Sequence, residues 1–410
     1  MKKPELLMPA GNIEKLDYAI NYGADAVYLG MVDFSLRSMR KGEIITQENL
    51  KKAVELAHSY GKKAYLTLNI YAFDEDIKNL YKNLELIADA APDSVIVSDF
   101  GILNVVRKKL PQIDLHISTQ TNTLNCEAVK FWRDFGAKRV ILARELSIAQ
   151  IKEIRAAVPD IELESFVHGS QCVSFSGRCL LSDYMTEGER KANHGGCAQP
   201  CRWSYKLLEE TRPGQYFEIE QSERGTHILS PKDLALIEYI PQLIEAGVDS
   251  FKIEGRTKSL YYVSAVAKAY RMAIDAYFNG EKDFSRFKQE LLKVGNRGYT
   301  TGFYLNKPDG DGYSYDISKG LAGADFLFEF LDKKDDNFKV RIKNKIKKDD
   351  IVEIITPDEM FEAQVLEIKD GDGFEQEIGN TNDEIYLNLS RKPENYKYAI
   401  GRTVGIKNQR

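Results

Sequence analysis

Short apolar, β-branched runs alternate with longer stretches of helical periodicity along the first two thirds of the chain, the pattern of a parallel sheet with crossover helices. Strands are predicted at Leu6–Pro9, Ala26–Leu29, Ala64–Asn69, Ser94–Asp99, Leu115–Gln120, Arg139–Arg144, Ile161–His168 and Ser250–Glu254. Eight parallel strands imply closure into a (β/α)8 barrel of the TIM type; an open doubly wound sheet is the competing architecture. Helical segments fit the crossovers. Glu48–Tyr60 carries Leu50, Val54 and Ala57 on one face, and Ser147 stands where it would cap Ile148–Val158. Gly61, Gly136 and Gly247 follow helical stretches and precede strands, where glycine takes the left-handed, helix-ending conformation cheaply.

The rhythm breaks after His168, because roughly 80 residues separate the seventh and eighth strands where a βα unit needs a few tens. An insertion at about residues 170–227 fills that gap, and Ile228–Leu234 reads as a short strand leading into a helix. The run Lys258–Phe278, with Tyr261, Tyr262, Val266, Ala269, Tyr270 and Ala273 at helical spacing, is the expected closing helix. From about Asp325 short β-type runs are broken by clusters such as Asp370-Gly371-Asp372-Gly373, as in a small all-β domain. The predicted division is therefore a barrel over residues 1–281 including the insertion, a connecting segment over 282–324 and a β domain over 325–410.

Composition adds boundaries to this picture. At 43% hydrophobic and 29% charged residues the chain is an ordinary globular one. A net charge of −5 excludes an indiscriminate nucleic-acid binder, which needs a broad cationic excess, but leaves room for a local basic surface. Pro9 interrupts the apolar run near the start too early for a signal segment, and no stretch has the length of a spanning helix. A cytoplasmic protein without membrane attachment is expected, and in that compartment clustered cysteines bind metal or do redox work.

Four of the five cysteines follow the spacing Cys172-x6-Cys179-x17-Cys197-x3-Cys201. Thiolates are soft ligands, and four suit either tetrahedral zinc or an iron–sulfur cluster. Zinc ribbons favour closer pairs than the six-residue gap here, so the spacing tilts toward a cluster. Cys126, alone on a helical segment, reads as a packing residue.

Alternation supplies a second set of candidates, since residues two apart on a barrel strand share a face. Thr67 with Asn69, His116 with Ser118 and Gln120, Glu164 with His168, and Lys252 with Glu254 would place polar groups inside the barrel toward the strand C-termini. Barrel enzymes put their sites at that end, where Arg144, Glu145 and Arg256 also fall. Buried charges cost several kcal/mol unless paired, so Glu164, Lys252 and Glu254 are expected to pair with one another or with a ligand. A self-satisfied polar network without catalysis is the plainer alternative. His-Glu-x-x-His, Gly-x-Ser-x-Gly and the phosphate loop are all missing. Basic and aromatic residues surround the cysteines: Arg178, Arg190, Lys191, Arg202, Trp203 and Lys206. Farther on, Lys339, Arg341 and Lys343 share one strand face, either a solvated face or an RNA-contacting stripe.

The run from Glu164 through His168-Gly169-Ser170-Gln171-Cys172 to Gly177-Arg178-Cys179 resembles the signature of the collagenase-like peptidase family U32. The likeness extends to His194-Gly-Gly-Cys197-Ala-Gln-Pro-Cys201-Arg202, Ser230-Pro-Lys-Asp233-Leu, Lys252-Ile-Glu254-Gly-Arg256 and Asn296-Arg-Gly-Tyr-Thr-Thr-Gly302, and is strongest to the branch of tRNA hydroxylation proteins. Gln171 departs from it, standing where the signature usually has Met or Leu.

The resemblance implies an oxygen-independent tRNA uridine hydroxylase forming 5-hydroxyuridine at the wobble position. It implies a [4Fe-4S] cluster on Cys172, Cys179, Cys197 and Cys201, with zinc as the alternative, and prephenate as co-substrate and hydroxyl source. Glu164, His168, Lys252, Glu254 and Arg256 are then the candidate catalytic lining. Asn69, Gln120, Arg144, Arg178, Arg202 and Trp203 are candidate substrate contacts, with Phe175, Trp203 or Tyr205 to stack a flipped base. The expected partner is tRNA, and a related family member is the kind of partner subunit it allows for. Two other readings stand: a metal-dependent or cysteine peptidase acting on collagen-like chains, and an iron–sulfur accessory subunit with no chemistry of its own.

Overall fold

The computed structural model describes residues 2–31, 33–36, 45–203, 221–222, 225–226, 231–306 and 322–406. Every predicted barrel strand is present: β1 (Glu5–Ala10), β2 (Ala26–Gly30), β3 (Lys63–Leu68), β4 (Ser94–Val97), β5 (Asp114–Ile117), β6 (Arg139–Ile141), β7 (Glu162–Ser170) and β8 (Ser250–Ile253). Each pairs in parallel with the next, and β8 pairs with both β7 and β1, so the sheet closes. Closure leaves no free edge and buries both faces. The strands therefore read as nearly continuous apolar runs, and all five residues of β2 are buried.

Helices α1 (Ile13–Asn21), α2 (Gln47–Ser59), α3 (Asp74–Ala90), α4 (Phe100–Lys109), α5 (Cys126–Phe135) and α6 (Ile148–Ala157) form the crossovers. Several start on the residue their sequence supplies. Ser147 accepts from the Gln150 N–H while Gln150 reaches back to the Ser147 N–H, a reciprocal cap worth about 1 kcal/mol. Gly136 ends α5 at φ +99°, which a side chain would resist.

The long β7–β8 excursion holds α7 (Leu181–Met185) and the four clustered cysteines, then a short strand, Asp233–Ala235. That strand runs antiparallel to the end of β7, with Asp233 opposite Ser170 and Ala235 opposite His168. This strand overlaps the end of the expected Ile228–Leu234 segment, of which Ile228–Ser230 lie outside the described residues. Helix α8 (Ile240–Glu245) leads into β8, and α9 (Leu260–Phe278) closes the barrel. Helix α10 (Ser285–Leu292) lies within the predicted connecting segment.

The C-terminal strands β9 (Phe326–Lys334), β10 (Asn337–Ile342), β11 (Ile351–Ile355), β12 (Met360–Lys369), β13 (Glu384–Leu389) and β14 (Ile400–Thr403) form a second, antiparallel barrel. It closes in the order β11-β14-β9-β10-β13-β12-β11 around Phe328, Phe338, Val340 and Ile354. Arg402, with no exposed side-chain surface, pairs with Glu353 of β11 (2.6 Å) and ties the barrel to the rest through Glu290 (2.6 Å) on α10. The basic stripe is spoken for: Lys339 and Arg341 pair with Glu384, and Arg341 and Lys343 with Glu329. These pairs set two carboxylates against the three cations that an RNA-contacting stripe would need. Among the described residues no helix is long and apolar enough to cross a membrane.

Candidate active site at the barrel mouth

A cavity of about 170 Å³ opens at the C-terminal ends of the strands, far above the roughly 10–15 Å³ that admits one water. Tyr28, Phe166 and Lys252 line it from the barrel interior, Thr67, Asn69, Ser118 and Gln120 from the walls, and Arg144, Glu254 and Arg256 from the strand ends. The expected polar mouth is there.

Beneath it lies a chain of charges. Glu164 is fully buried, with the Arg139 guanidinium at 2.9 Å on one side and the Lys252 ammonium at 2.8 Å on the other. Arg139 continues to Glu5 (2.6 Å) and Glu162 (2.7 Å). Burial pulls the Lys252 pKa down, and Glu164 pulls against it without prevailing. Burial also opposes the Arg139 charge, but Glu5 and Glu164 overcome it and hold that group well above its ordinary value. Glu164 is thus behind Lys252 and reaches the cavity through it. Sequence reasoning overlooked Arg139. Its parity with Ile141, which lines the cavity, was the available signal.

Two arginines stand at the mouth. Arg144 donates to the Ser170 carbonyl (2.8 Å) and to Glu254 Oε2 (3.3 Å), with its guanidinium 3.9 Å above the Phe166 ring centre. Arg256 donates to Ser35 Oγ (2.5 Å) and Thr67 Oγ1 (3.1 Å). It crosses the end of β2 so closely that a Cβ on Gly30 would lie 1.7 Å from its Nη1. At the end of β7, Gly169 has φ +104°, and a Cβ there would meet the Glu254 carbonyl oxygen at 2.2 Å. Gly169 is required by its positive φ and by backbone that cannot give way, whereas at Gly30 the atom in the way is the tip of a side chain.

His168 is a correction. Lys252 lies opposite Phe166 but Ile253 lies opposite His168, so Val167 is an extra residue on β7 and the alternation flips there. The imidazole is turned out of the barrel among the rings of Tyr262, Tyr270 and Tyr299. Burial, with a smaller contribution from Lys258, drops its pKa to about 3. His116 does face inward, but below the cavity against Tyr65 and Ser94.

All four clustered cysteines line the mouth cavity. Among the described residues the Cys172 thiol contacts Ser174 Oγ, and the Cys179 and Cys197 sulfurs accept from the N–H groups of Leu181 and Gln199. Burial pushes the Cys201 thiol up; Arg202 opposes this, and the other three cysteines add to it. The segment is pinned to the rim. Glu145, between β6 and α6, accepts from the Ser176 N–H (2.7 Å) and Oγ–H (2.6 Å), holding Ser176 at φ +44°. Arg178 donates to Tyr71 Oη (2.6 Å) and the Gln120 carbonyl (3.0 Å), and His194 meets Asp76 at 2.9 Å. Arg178 is therefore a strut on the rim and not a cavity residue. Arg202 and Trp203 line a separate cavity, Phe175 is half exposed, and Tyr205 and Lys206 lie outside the described residues.

Comparison with known proteins agrees with this architecture. The model of peptidase family U32 matches residues 11–313. A Bacillus subtilis protein named tRNA hydroxylation protein P1 is 41% identical over 380 residues, spanning 91% of this chain and 89% of its own. A Porphyromonas gingivalis protein named collagenase is 36% identical over 75% of each chain. An Escherichia coli 23S rRNA 5-hydroxycytidine C2501 synthase is 35% identical over 78% of this chain and 48% of its own. Barrel, cysteine-bearing excursion and a family match over most of the length lead to one assignment: the chain belongs to peptidase family U32.

Proposed function

We propose that the protein is an RNA hydroxylase that converts a wobble uridine of tRNA to 5-hydroxyuridine without molecular oxygen. The observation that carries this reading is the placement of four thiols at the rim of a cavity that also holds Lys252, Arg144 and Arg256. Relatives named for tRNA hydroxylation and for 5-hydroxycytidine synthesis support it.

Cys172, Cys179, Cys197 and Cys201 are the residues to hold a [4Fe-4S] cluster. The four are soft donors lining one cavity, the donor set that such a cluster takes. When bound, such a cluster supplies one-electron chemistry. The remaining work falls to this chain's own groups. Arg144 and Arg256 suit the carboxylates of prephenate, the co-substrate in this reading, because a guanidinium pairs with a carboxylate bidentately. Lys252 is the group placed to hold or pass a proton inside the cavity, with Glu164 and Arg139 fixing it from behind.

A cysteine peptidase would need an imidazole beside its thiol. The described thiol contacts are hydroxyl and main-chain groups, and His168 points away.

The test is nucleoside analysis of tRNA from cells with and without the protein, together with spectra of the anaerobically purified chain. Loss of 5-hydroxyuridine and a broad absorbance near about 400 nm that vanishes in Cys172→Ala are expected. An unchanged nucleoside profile would refute the reading.

A further inference from the structure

Asn69 directly follows β3, Ser98 directly follows β4, and Gln120 stands just beyond β5, so the ends of three adjacent strands carry one polar residue each. Ser98 joins the other two. Its hydroxyl is shared between Gln120 Oε1 (3.3 Å) and the Asn69 main-chain carbonyl (3.4 Å).

Both carboxamides line the mouth cavity, and in both the oxygen is committed to the protein. Asn69 Oδ1 accepts from the Leu36 N–H (3.2 Å), and Gln120 Oε1 takes the Ser98 hydroxyl. An amide whose oxygen is held in this way offers the cavity only its –NH2. Neither Asn69 Nδ2 nor Gln120 Nε2 meets an acceptor among the described residues, and neither is sealed off. A Cβ on Gly177, which also lines the cavity, would lie 3.5 Å from Gln120 Nε2, so that nitrogen points toward the excursion that carries the cysteines. The Gln120 carbonyl is clamped in turn by Tyr71 Oη (2.5 Å) and Arg178 Nε (3.0 Å), which fixes the residue in place.

Resting on the RNA-hydroxylase reading, we infer that Asn69 and Gln120 are the pair that admits uracil to the mouth and rejects cytosine. A base that has left its stack is read on its Watson–Crick edge. On uracil that edge runs carbonyl, imide N–H, carbonyl, and two fixed N–H donors match its two oxygens. Cytosine keeps O2 but carries an amino group in place of O4. One donor would then face another donor, and a desolvated amide without an acceptor is costly. The two amides are neutral, as suits carbonyl oxygens; a carboxylate, the other ligand with paired acceptors, is better served by a guanidinium. One amide therefore positions the base through the O2 that both pyrimidines share, and the other selects through O4.

The experiment offers anaerobically purified holoprotein two labelled anticodon stem-loop RNAs, alike except for uridine or cytidine at the target position. Affinity and hydroxylation are measured for each, with KM for prephenate alongside. Asn69→Asp and Gln120→Glu keep the oxygen that the fold uses and replace the –NH2 by an acceptor. Any general repulsion of RNA by the new charge cancels in the uridine-to-cytidine ratio. In one of the two that ratio is expected to fall roughly 5- to 150-fold, the discrimination of one matched pair of hydrogen bonds. In the other both RNAs should weaken together. Asn69→Leu and Gln120→Met remove the donor without adding charge; they should move the ratio in the same direction and serve where a carboxylate unsettles the fold. A wild-type ratio in all four variants, in a protein that hydroxylates uridine, overturns the assignment. So does a rise in the prephenate KM at an unchanged ratio, which gives the pair to the co-substrate, or a wild type that treats both RNAs alike. A wild-type protein that hydroxylates neither RNA overturns the hydroxylase reading and this assignment with it.

Discussion

The Lys252 ammonium stands 2.8 Å from the Glu164 carboxylate at the floor of the mouth cavity, with both side chains almost wholly buried. Arg139 holds the other carboxylate oxygen at 2.9 Å, so one anion serves two cations.

Glu164→Gln leaves both cations without that partner. Removing one member of a buried ion pair costs about 3–5 kcal/mol, which urea denaturation should register. The Lys252 pKa, already lowered by burial, should fall further, and pH-dependent modification of Lys252 by an amine-selective reagent would report it. The double variant Glu164→Gln with Lys252→Met should recover part of the loss, because the uncompensated charge is gone. Strict additivity of the two single variants would show that the pair is not coupled.

His168 makes stability depend on pH. Its folded pKa of about 3 lies below the unfolded value near 6.5, so the unfolded chain binds more protons between those limits. Stability is therefore complete above about pH 6.5 and falls toward pH 3, by up to about 1.4 kcal/mol per pH unit from this group. His116, also depressed by burial, acts in the same sense. His168→Gln should flatten the slope of unfolding free energy against pH between 4 and 6, roughly, by about half. It should leave kcat nearly unchanged, since the ring points away from the cavity. A large loss of kcat at full stability would contradict that placement.

Gly30→Ala is a probe of Arg256. The inserted methyl would displace the guanidinium tip, which is flexible, and not the backbone. The melting temperature should move little. KM for the carboxylate co-substrate should rise about tenfold, the equivalent of one weakened charged hydrogen bond at about 1.4 kcal/mol. An unchanged KM would remove Arg256 from the carboxylate site.

Arg402→Met would leave Glu290 and Glu353 with Lys293 as their shared cation beneath the second barrel. Destabilisation of about 1–3 kcal/mol, the scale of lost hydrogen bonds to a charged group, is expected, with proteolysis between residues 293 and 326 as the sensitive readout. Wild-type resistance to protease would mean that the contact of Tyr22 with the Ile355 and Tyr398 carbonyls, and of Lys268 with Thr356, suffices to join the two barrels.

Much of this was legible beforehand, for identifiable reasons. Barrel strands buried on two faces leave apolar runs between glycine-marked turns, so all eight could be read, and the break after His168 exposed the excursion. What escaped reading depends on contacts far apart in sequence or on a single inserted residue. The extra Val167 turns His168 outward, and nothing in the alternation of Glu164, Phe166 and His168 announces it. Glu145 meets Ser176 across 31 residues of chain. Lys339, Arg341 and Lys343 looked available because Glu329 and Glu384, their partners, come from neighbouring strands β9 and β13. Arg139 resembled an ordinary polar strand start until Glu5, Glu162 and Glu164 were seen around it.

None of the four clustered thiols belongs to the hydrophobic core of the large barrel; they ride on the excursion between β7 and β8. In a small zinc domain, losing the inorganic centre means losing the fold. If the proposed cluster is there, the packing of the staves does not depend on its ligands, so a chain that lost it would be expected to keep its receptacle. Damage to such a centre would then call for refilling and not for replacement of the whole chain.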